Sequence, residues 1–272
     1  MFATSPLRHA PFRLFYFGSI GSAVGYTMQA TVAAWLMATL TPSALMVALV
    51  QTASTSPSLL LGLIAGALAD IVDRRRIILA THIVLLLATI ALGIATLAGL
   101  TGPLMLLALT FVIGAGFTFY MPAQQASINS FVSRAELPRA VALGAVAFNV
   151  ARAIGPAIAG ALAAWIGTGS ALVASALFFI VMIVAVRTWK PRELALPGVP
   201  ETLFSGVLSG LRYARHSRPM RSLIIRNLNF CVCASCLWAL LPVIARDQLG
   251  LGAGGYGLLS ASFGIEIGRA HV

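Results

Sequence analysis

Long apolar runs, interrupted at intervals by short polar or Pro/Gly-containing turns, organise the chain from end to end. Read against charge and Pro/Gly breaks, these runs predict helical spans near 13–39, 43–69, 77–99, 103–131, 138–166, 170–188 and 222–245, with an eighth beginning near Tyr256. About 20 apolar residues rising 1.5 Å each cross the roughly 30 Å hydrocarbon layer of a bilayer. Backbone N–H and C=O groups in that layer must bond within their own segment, so each run is expected to be helical. The expected fold class is all-α, a polytopic transmembrane helix bundle.

Composition agrees with that pattern. Of 272 residues, 59% are hydrophobic and only 9% charged, with a mean hydropathy of +0.95, against roughly 25% charged residues in a soluble domain. A water-soluble fold is excluded. The formal charge of +11 raises nucleic acid as a partner, and the position of the basic residues decides against it. Apart from Arg152, Arg246 and Arg269, every Lys and Arg lies before the first span or around the second, fourth and sixth connections. Arg8 and Arg13 precede span one, Arg74 to Arg76 follow span two, Arg134 and Arg139 follow span four, and a series from Arg187 to Arg226 surrounds the approach to span seven. The intervening turns at 41–43, 99–103 and 167–170 carry no charge.

Basic connections mark the cytoplasmic side, so the N-terminus and the even-numbered connections are expected inside a plasma (inner) membrane. One missed helix would scatter the arginines over both faces, so their alternation also supports the span count. Topology and attraction to anionic lipid account for the charge. Lipid is the expected partner and nucleic acid is not.

Six spans, a polar stretch and then further spans divide the chain into an N-terminal six-helix bundle at 1–188, a cytoplasmic linker at 189–221, and the start of a second bundle at 222–265. Within the linker, Leu203, Val207, Leu208 and Leu211 fall on one helical face followed by arginines, the pattern of a helix lying at the membrane interface. Residues 266–272, EIGRAHV, break the pattern of span eight. They match the in-frame translation of a common sequencing-library adapter, so an artefactual end and a longer natural chain are expected.

The connection after span two reads Gly66-Ala-Leu-Ala-Asp70-Ile-Val-Asp73-Arg74-Arg75-Arg76. It resembles the signature loop of the major facilitator superfamily, departing from it at Ile71, where a basic residue is common, and at Asp73, where glycine is common. Gly66 is expected to allow close helix approach, and Asp70 to cap a helix end or pair with arginine. Span five contains Asn149-Val-Ala-Arg152-Ala-Ile-Gly155-Pro156-Ala-Ile-Ala-Gly160, similar to the glycine-proline motif of exporters in that superfamily. Small residues permit close packing, and proline removes one bond of the helix ladder, so this segment is expected to act as a packed pivot.

The segments Pro122-Ala-Gln124-Gln125-Ala, Arg134-Ala-Glu136-Leu-Pro138 and Gly210-Leu-Arg-Tyr213-Ala-Arg-His216 look like the branch containing enterobactin exporters and macrolide efflux proteins. The resemblance implies the first bundle of a major facilitator fold plus part of the second, alternating access, and efflux of small amphipathic compounds or siderophores. A non-transporting membrane receptor or scaffold, or an inactive fragment of a transporter, is the alternative. It also implies a central cavity, for which Tyr26, Gln29 and Trp35 of span one and Phe119, Tyr120, Gln124 and Gln125 of span four are the candidate lining residues.

Arg152 is the clearest ionisable residue inside a span, where a charge costs at least about 2.5 kcal/mol at the bilayer centre. It is expected either to hold helix carbonyls or Asn149, or to face the cavity. Arg226 is expected to snorkel to the interface. No Asp or Glu lies clearly within a span, leaving a proton gradient as a coupling source without an obvious carboxylate carrier. Cys231, Cys233 and Cys236 crowd one apolar run and fit helix packing better than a metal site. His9, His82 and His216 lack ligand spacing, and no phosphate loop or paired carboxylates occur. Neither an enzyme, a cofactor nor a metal is expected.

Overall fold

A computed structural model describes residues 6–189, 212 and 215–269. Eight long helices are found among them: α1 Ala10–Leu40, α2 Ala44–Ile71, α3 Arg74–Leu97, α4 Pro103–Ser127, α5 Leu137–Ile166, α6 Thr168–Thr188, α7 Arg218–Val243 and α8 Ala253–Arg269. Each predicted span coincides with a helix, usually to within a few residues at either end. The helix expected between Pro200 and Pro219 falls largely outside the described residues. Residues Glu266 to Arg269 continue α8 rather than interrupting it.

Local chemistry sets the boundaries. Pro11, Pro138 and Pro219 sit in the first turns of their helices and Pro103 opens α4, where the missing N–H leaves no ladder bond unmade. Ser43, Asp73 and Ser217 cap α2, α3 and α7 through their side-chain oxygens. Gly167 alone joins α5 to α6 with φ +85°, a left-handed conformation that a Cβ disfavours.

The helices of the first six follow a regular order of neighbours. α1 packs between α5 and α6, α3 between α6 and α4, and α2 against α4. Exchanging α1 with α4, α2 with α5 and α3 with α6 maps this pattern onto itself: α1 on α5 becomes α4 on α2, α1 on α6 becomes α4 on α3, and the α3 and α6 pair is unchanged. Two three-helix repeats therefore build the bundle. α7 lies against α2 and α8 against α5, so the second bundle begins on the two helices that the repeat relates.

By length and composition, five helices among the described residues, α2 to α6, suffice to cross a membrane. α1 falls outside that group because Ser19, Ser22, Thr27, Gln29 and Thr31 interrupt its apolar surface. Neighbours surround it, with Met28, Ala33, Met37 and Ala38 wholly buried, and a helix enclosed by others need not be lipid-soluble on every face. Apolar side chains face outward elsewhere: Leu59 is 83% exposed on α2 and Trp165 82% on α5, as expected where lipid replaces water as the solvent.

Small residues set the helix spacing. A Cβ on Gly25 would come within 2.9 Å of the Ser175 carbonyl of α6. One on Gly257 would lie 2.5 Å from the Pro156 carbonyl and 2.7 Å from the Gly160 Cα. Gly66 differs from the expectation, since a Cβ there would meet nothing within 4 Å; that face of α2 is open, so no close approach demands a glycine. Gly257→Ala is therefore expected to destabilise the protein by about 1–3 kcal/mol, since backbone atoms must yield. Gly66→Ala should leave stability unchanged or raise it by up to about 1 kcal/mol through helix propensity. Thermal unfolding of the two variants in detergent checks the contrast.

Candidate functional site

The arginine loop between α2 and α3 works as a clamp on helix ends. The Asp73 carboxylate accepts from the Arg75 backbone N–H at 2.9 Å and caps α3. Arg74 reaches back to donate to the Ala69 carbonyl at 3.3 Å and across to Ala126 at 2.8 Å. Arg75 donates to the carbonyls of Val186 and Arg187, both at 3.0 Å. These acceptors belong to the closing turns of α2, α4 and α6, where carbonyls lack intrahelical donors and the helix dipole presents negative charge. Arg76 sits 3.9 Å from Asp73 on the exposed side, a contact of small energetic weight. Asp70 is exposed and makes no ion pair with the described residues.

A second polar cluster ties the chain start to the turn before α5. Ser133 donates to the Glu136 carboxylate from its hydroxyl at 2.8 Å and its backbone N–H at 3.2 Å. Arg8 lies 3.1 Å and His9 3.5 Å from the same carboxylate. The Ser133 hydrogen bonds, chiefly, and then the nearby positive charges hold the Glu136 carboxyl below the ordinary carboxylate range.

Among the described residues, cavities open between the helices, and two of them bear on the site. The larger, about 480 Å³, lies among α1, α4 and α5 and is lined by Ser19, Phe117, Tyr120, Gln124, Gln125 and Phe148, among others. The smaller, about 150 Å³, lies where α1, α2 and α5 meet α7 and α8, with Tyr26, Gln51, Arg152, Pro156, Trp238 and Tyr256 in its wall. Four of the residues expected to line a cavity do so: Tyr26 in the smaller, and Tyr120, Gln124 and Gln125 in the larger. Gln29, Trp35 and Phe119 line neither. Gln29 is buried within α1 and its amide nitrogen has no hydrogen-bond partner among the described residues. Trp35 stacks on Tyr256 at 5.6 Å, and Phe119 packs into the apolar cluster around Phe15, Ile78 and Trp189.

The span-five motif divides its work between two neighbours. A Cβ on Gly155 would fall 2.0 Å from the Thr27 hydroxyl oxygen of α1, whereas one on Gly160 would meet Ala253 and Gly257 of α8 at 2.7 Å. Thr27 donates to the Ala151 carbonyl at 3.1 Å, next to the turn that Pro156 deprives of an N–H. Asn149 is half-buried, and Arg152 places its guanidinium 5.8 Å from the ring centre of Trp238. Arg226 is exposed. Cys231, Cys233 and Cys236 all lie on α7, and the described residues contain no cluster able to hold a metal ion.

His82 joins a polar group that the residue pattern does not announce. Fully buried, its Nε2 lies 2.6 Å from the Ser22 hydroxyl and its Nδ1 2.8 Å from the Ile78 carbonyl. The Tyr120 ring meets it edge-on at 4.6 Å, with Ser19 and Ser22 near the Tyr120 hydroxyl. Gln124 in turn donates to Ser19 at 3.3 Å. Phe117, stacked face to face on Tyr26 at 3.9 Å, Trp238 and Gln51 complete the cavity walls beyond the residues expected from the sequence. Polar residues inside apolar runs were the available signal.

Comparison with known proteins fits this architecture. The profile of a family described as transmembrane secretion effector matches residues 2–270. The chain is 25% identical over 230 residues to the multidrug efflux pump Tap of Mycolicibacterium fortuitum, a match covering 81% of this chain and 56% of Tap. Its fold is similar to the crystal structure of a bacterial homolog of the human lysosomal transporter Spinster, in an inward-facing and unoccupied conformation. That match has a TM-score of 0.74 at 16% identity and covers 95% of this chain and 60% of the other. The chain thus spans little more than half the length of either relative.

Two outcomes follow from the polar clusters. Arg74→Gln should destabilise the protein by roughly 1.5–3 kcal/mol, the worth of hydrogen bonds from a charged donor, with Arg74→Lys recovering only part because a point charge cannot span both carbonyls. Unfolding in detergent would measure both. At Glu136 the folded carboxyl is held low, so its contribution to stability is present above the ordinary carboxylate range and is lost as pH falls through the lowered value. Acid scans of melting temperature should show this loss in the wild type and not in Glu136→Gln.

Proposed function

The chain belongs to the transmembrane secretion effector family of the major facilitator superfamily, and from that premise we propose that it forms part of an efflux permease working by alternating access. The observation carrying this is the arrangement of a two-repeat bundle whose α2 and α5 receive the first helices of a second bundle, with a cavity between them. Rocking of one bundle against the other would expose that region to each side of the membrane in turn. The close glycine contacts of α5 with α1 and α8 supply a surface on which such motion occurs without parting the helices.

Small amphipathic compounds or siderophores are the cargo we infer. Aromatic and amide side chains line the larger cavity, among them Phe117, Tyr120, Gln124 and Gln125, and such walls suit ligands with an apolar body and few polar groups. Export of drugs by Tap supports the direction. In this proposal the N-terminus and the Arg74–Arg76 loop lie in the cytoplasm of a cell with an inner membrane, and the proton gradient drives export.

Accumulation of a panel of lipophilic compounds in cells with and without the gene, each with and without a protonophore, tests transport and coupling together. Reduced accumulation that the protonophore abolishes is expected; unchanged accumulation across the panel would falsify the efflux assignment. For topology, single cysteines replacing the exposed Arg76 and Leu100 in a cysteine-free background should differ in reaction with an impermeant maleimide on intact cells, only the second being labelled.

A further inference from the structure

We propose that the smaller cavity is a binding site for the ring of an aromatic acid, with Arg152 taking the carboxylate or phenolate oxygen. This deepens the transport assignment above, on which its place in a cargo pathway rests. Arg152 stands midway along α5, about as far from Leu137 as from Ile166, so its charge is held at mid-membrane depth. Among the described residues its guanidinium makes no hydrogen bond and no ion pair; the contact it has is with the face of Trp238 at 5.8 Å. A planar fork of N–H donors without an acceptor, set beside an aromatic face, is the chemistry that binds a carboxylate in two-point fashion.

The rest of the wall says what carries the acid. No lining residue is acidic, so an anion meets no repulsion there and a cation no attraction. Tyr26, Trp238 and Tyr256 present aromatic surface, while Gln51 and Thr31 offer polar atoms at the margin. Trp238 is already a partner of the guanidinium, and a bound ring set beside it would share that cation. The volume of about 150 Å³ is the size at which an apolar protein cavity accepts benzene, so one six-membered ring fits. The wall draws on α1, α2 and α5 from one bundle and α7 and α8 from the other. A ligand here touches both, and its affinity changes when the bundles move apart.

Ligand-observed NMR on the full chain in detergent, with benzoate, its neutral isostere benzamide, and benzylamine as probes, tests the site. Benzoate is expected to bind at least about tenfold more tightly than benzamide, the difference that charge-assisted hydrogen bonds confer, and benzylamine not to compete. Arg152→Gln should bring benzoate to the level of benzamide, whereas Arg152→Lys, which keeps the charge but not the planar fork, should recover only part of the benzoate preference; helical circular dichroism and melting confirm that each variant is folded. Equal affinity of benzoate and benzamide in the wild type, or benzoate binding that survives Arg152→Gln, overturns the proposal. Transport fails or succeeds separately: benzoate bound in an Arg152-dependent manner by a protein that exports nothing would sink the efflux assignment and leave the site standing.

Discussion

A helix in hydrocarbon satisfies its own backbone everywhere except at its ends, and the arrangement of this protein follows from where those ends find partners. On the arginine-bearing face, Arg74 and Arg75 donate to carbonyls in the closing turns of α2, α4 and α6. One loop therefore serves helices from both three-helix repeats of the bundle, and the repeats are held in register at a single level. The signature loop is a structural clamp before it is anything else. Asp73 caps the helix that bears the clamp, while Asp70 remains exposed.

Within the membrane the forces differ. Lipid is as apolar as leucine, so burying leucine against leucine drives little association, and close packing has to supply the attraction. Gly25, Gly155, Gly160 and Gly257 allow this by bringing backbone to within a side chain's breadth of the neighbouring helix. The same economy leaves α1 free to be polar. Surrounded by α5 and α6, it carries Ser19, Ser22, Thr27 and Gln29, which hydrogen-bond to helix carbonyls or to His82, or in the case of Gln29 lie buried.

Those polar residues give the bundle its interior chemistry. The hydrogen-bonded pairs Gln124–Ser19 and Ser22–His82 gather around Tyr120, from the wall of the larger cavity into the core. The smaller cavity combines Arg152 with aromatic surface from both bundles. A polar interior beneath an apolar exterior leaves the inner side chains solvated by protein while the outer surface is solvated by lipid.

The sequence by itself determined the helices, because the length of an apolar run and the alternation of arginines across turns are one-dimensional facts set by bilayer thickness and surface charge. The span-two loop and the Gly155-Pro156 segment stood out for a related reason, since sterics and charge restrict what such short stretches can contain, but the packing of Gly66 and the pairing of Asp70 did not follow from them. Which residues face a cavity was not legible, since facing depends on which helices lie on either side. Tyr26 and Trp35, on the same helix, part company because Phe117 meets one and Tyr256 the other. His82, without ligand spacing in the chain, gained its partners from α1 and α4 only once the bundle closed. Tertiary structure decided these pairings because they join residues far apart in the chain, where no periodicity records them.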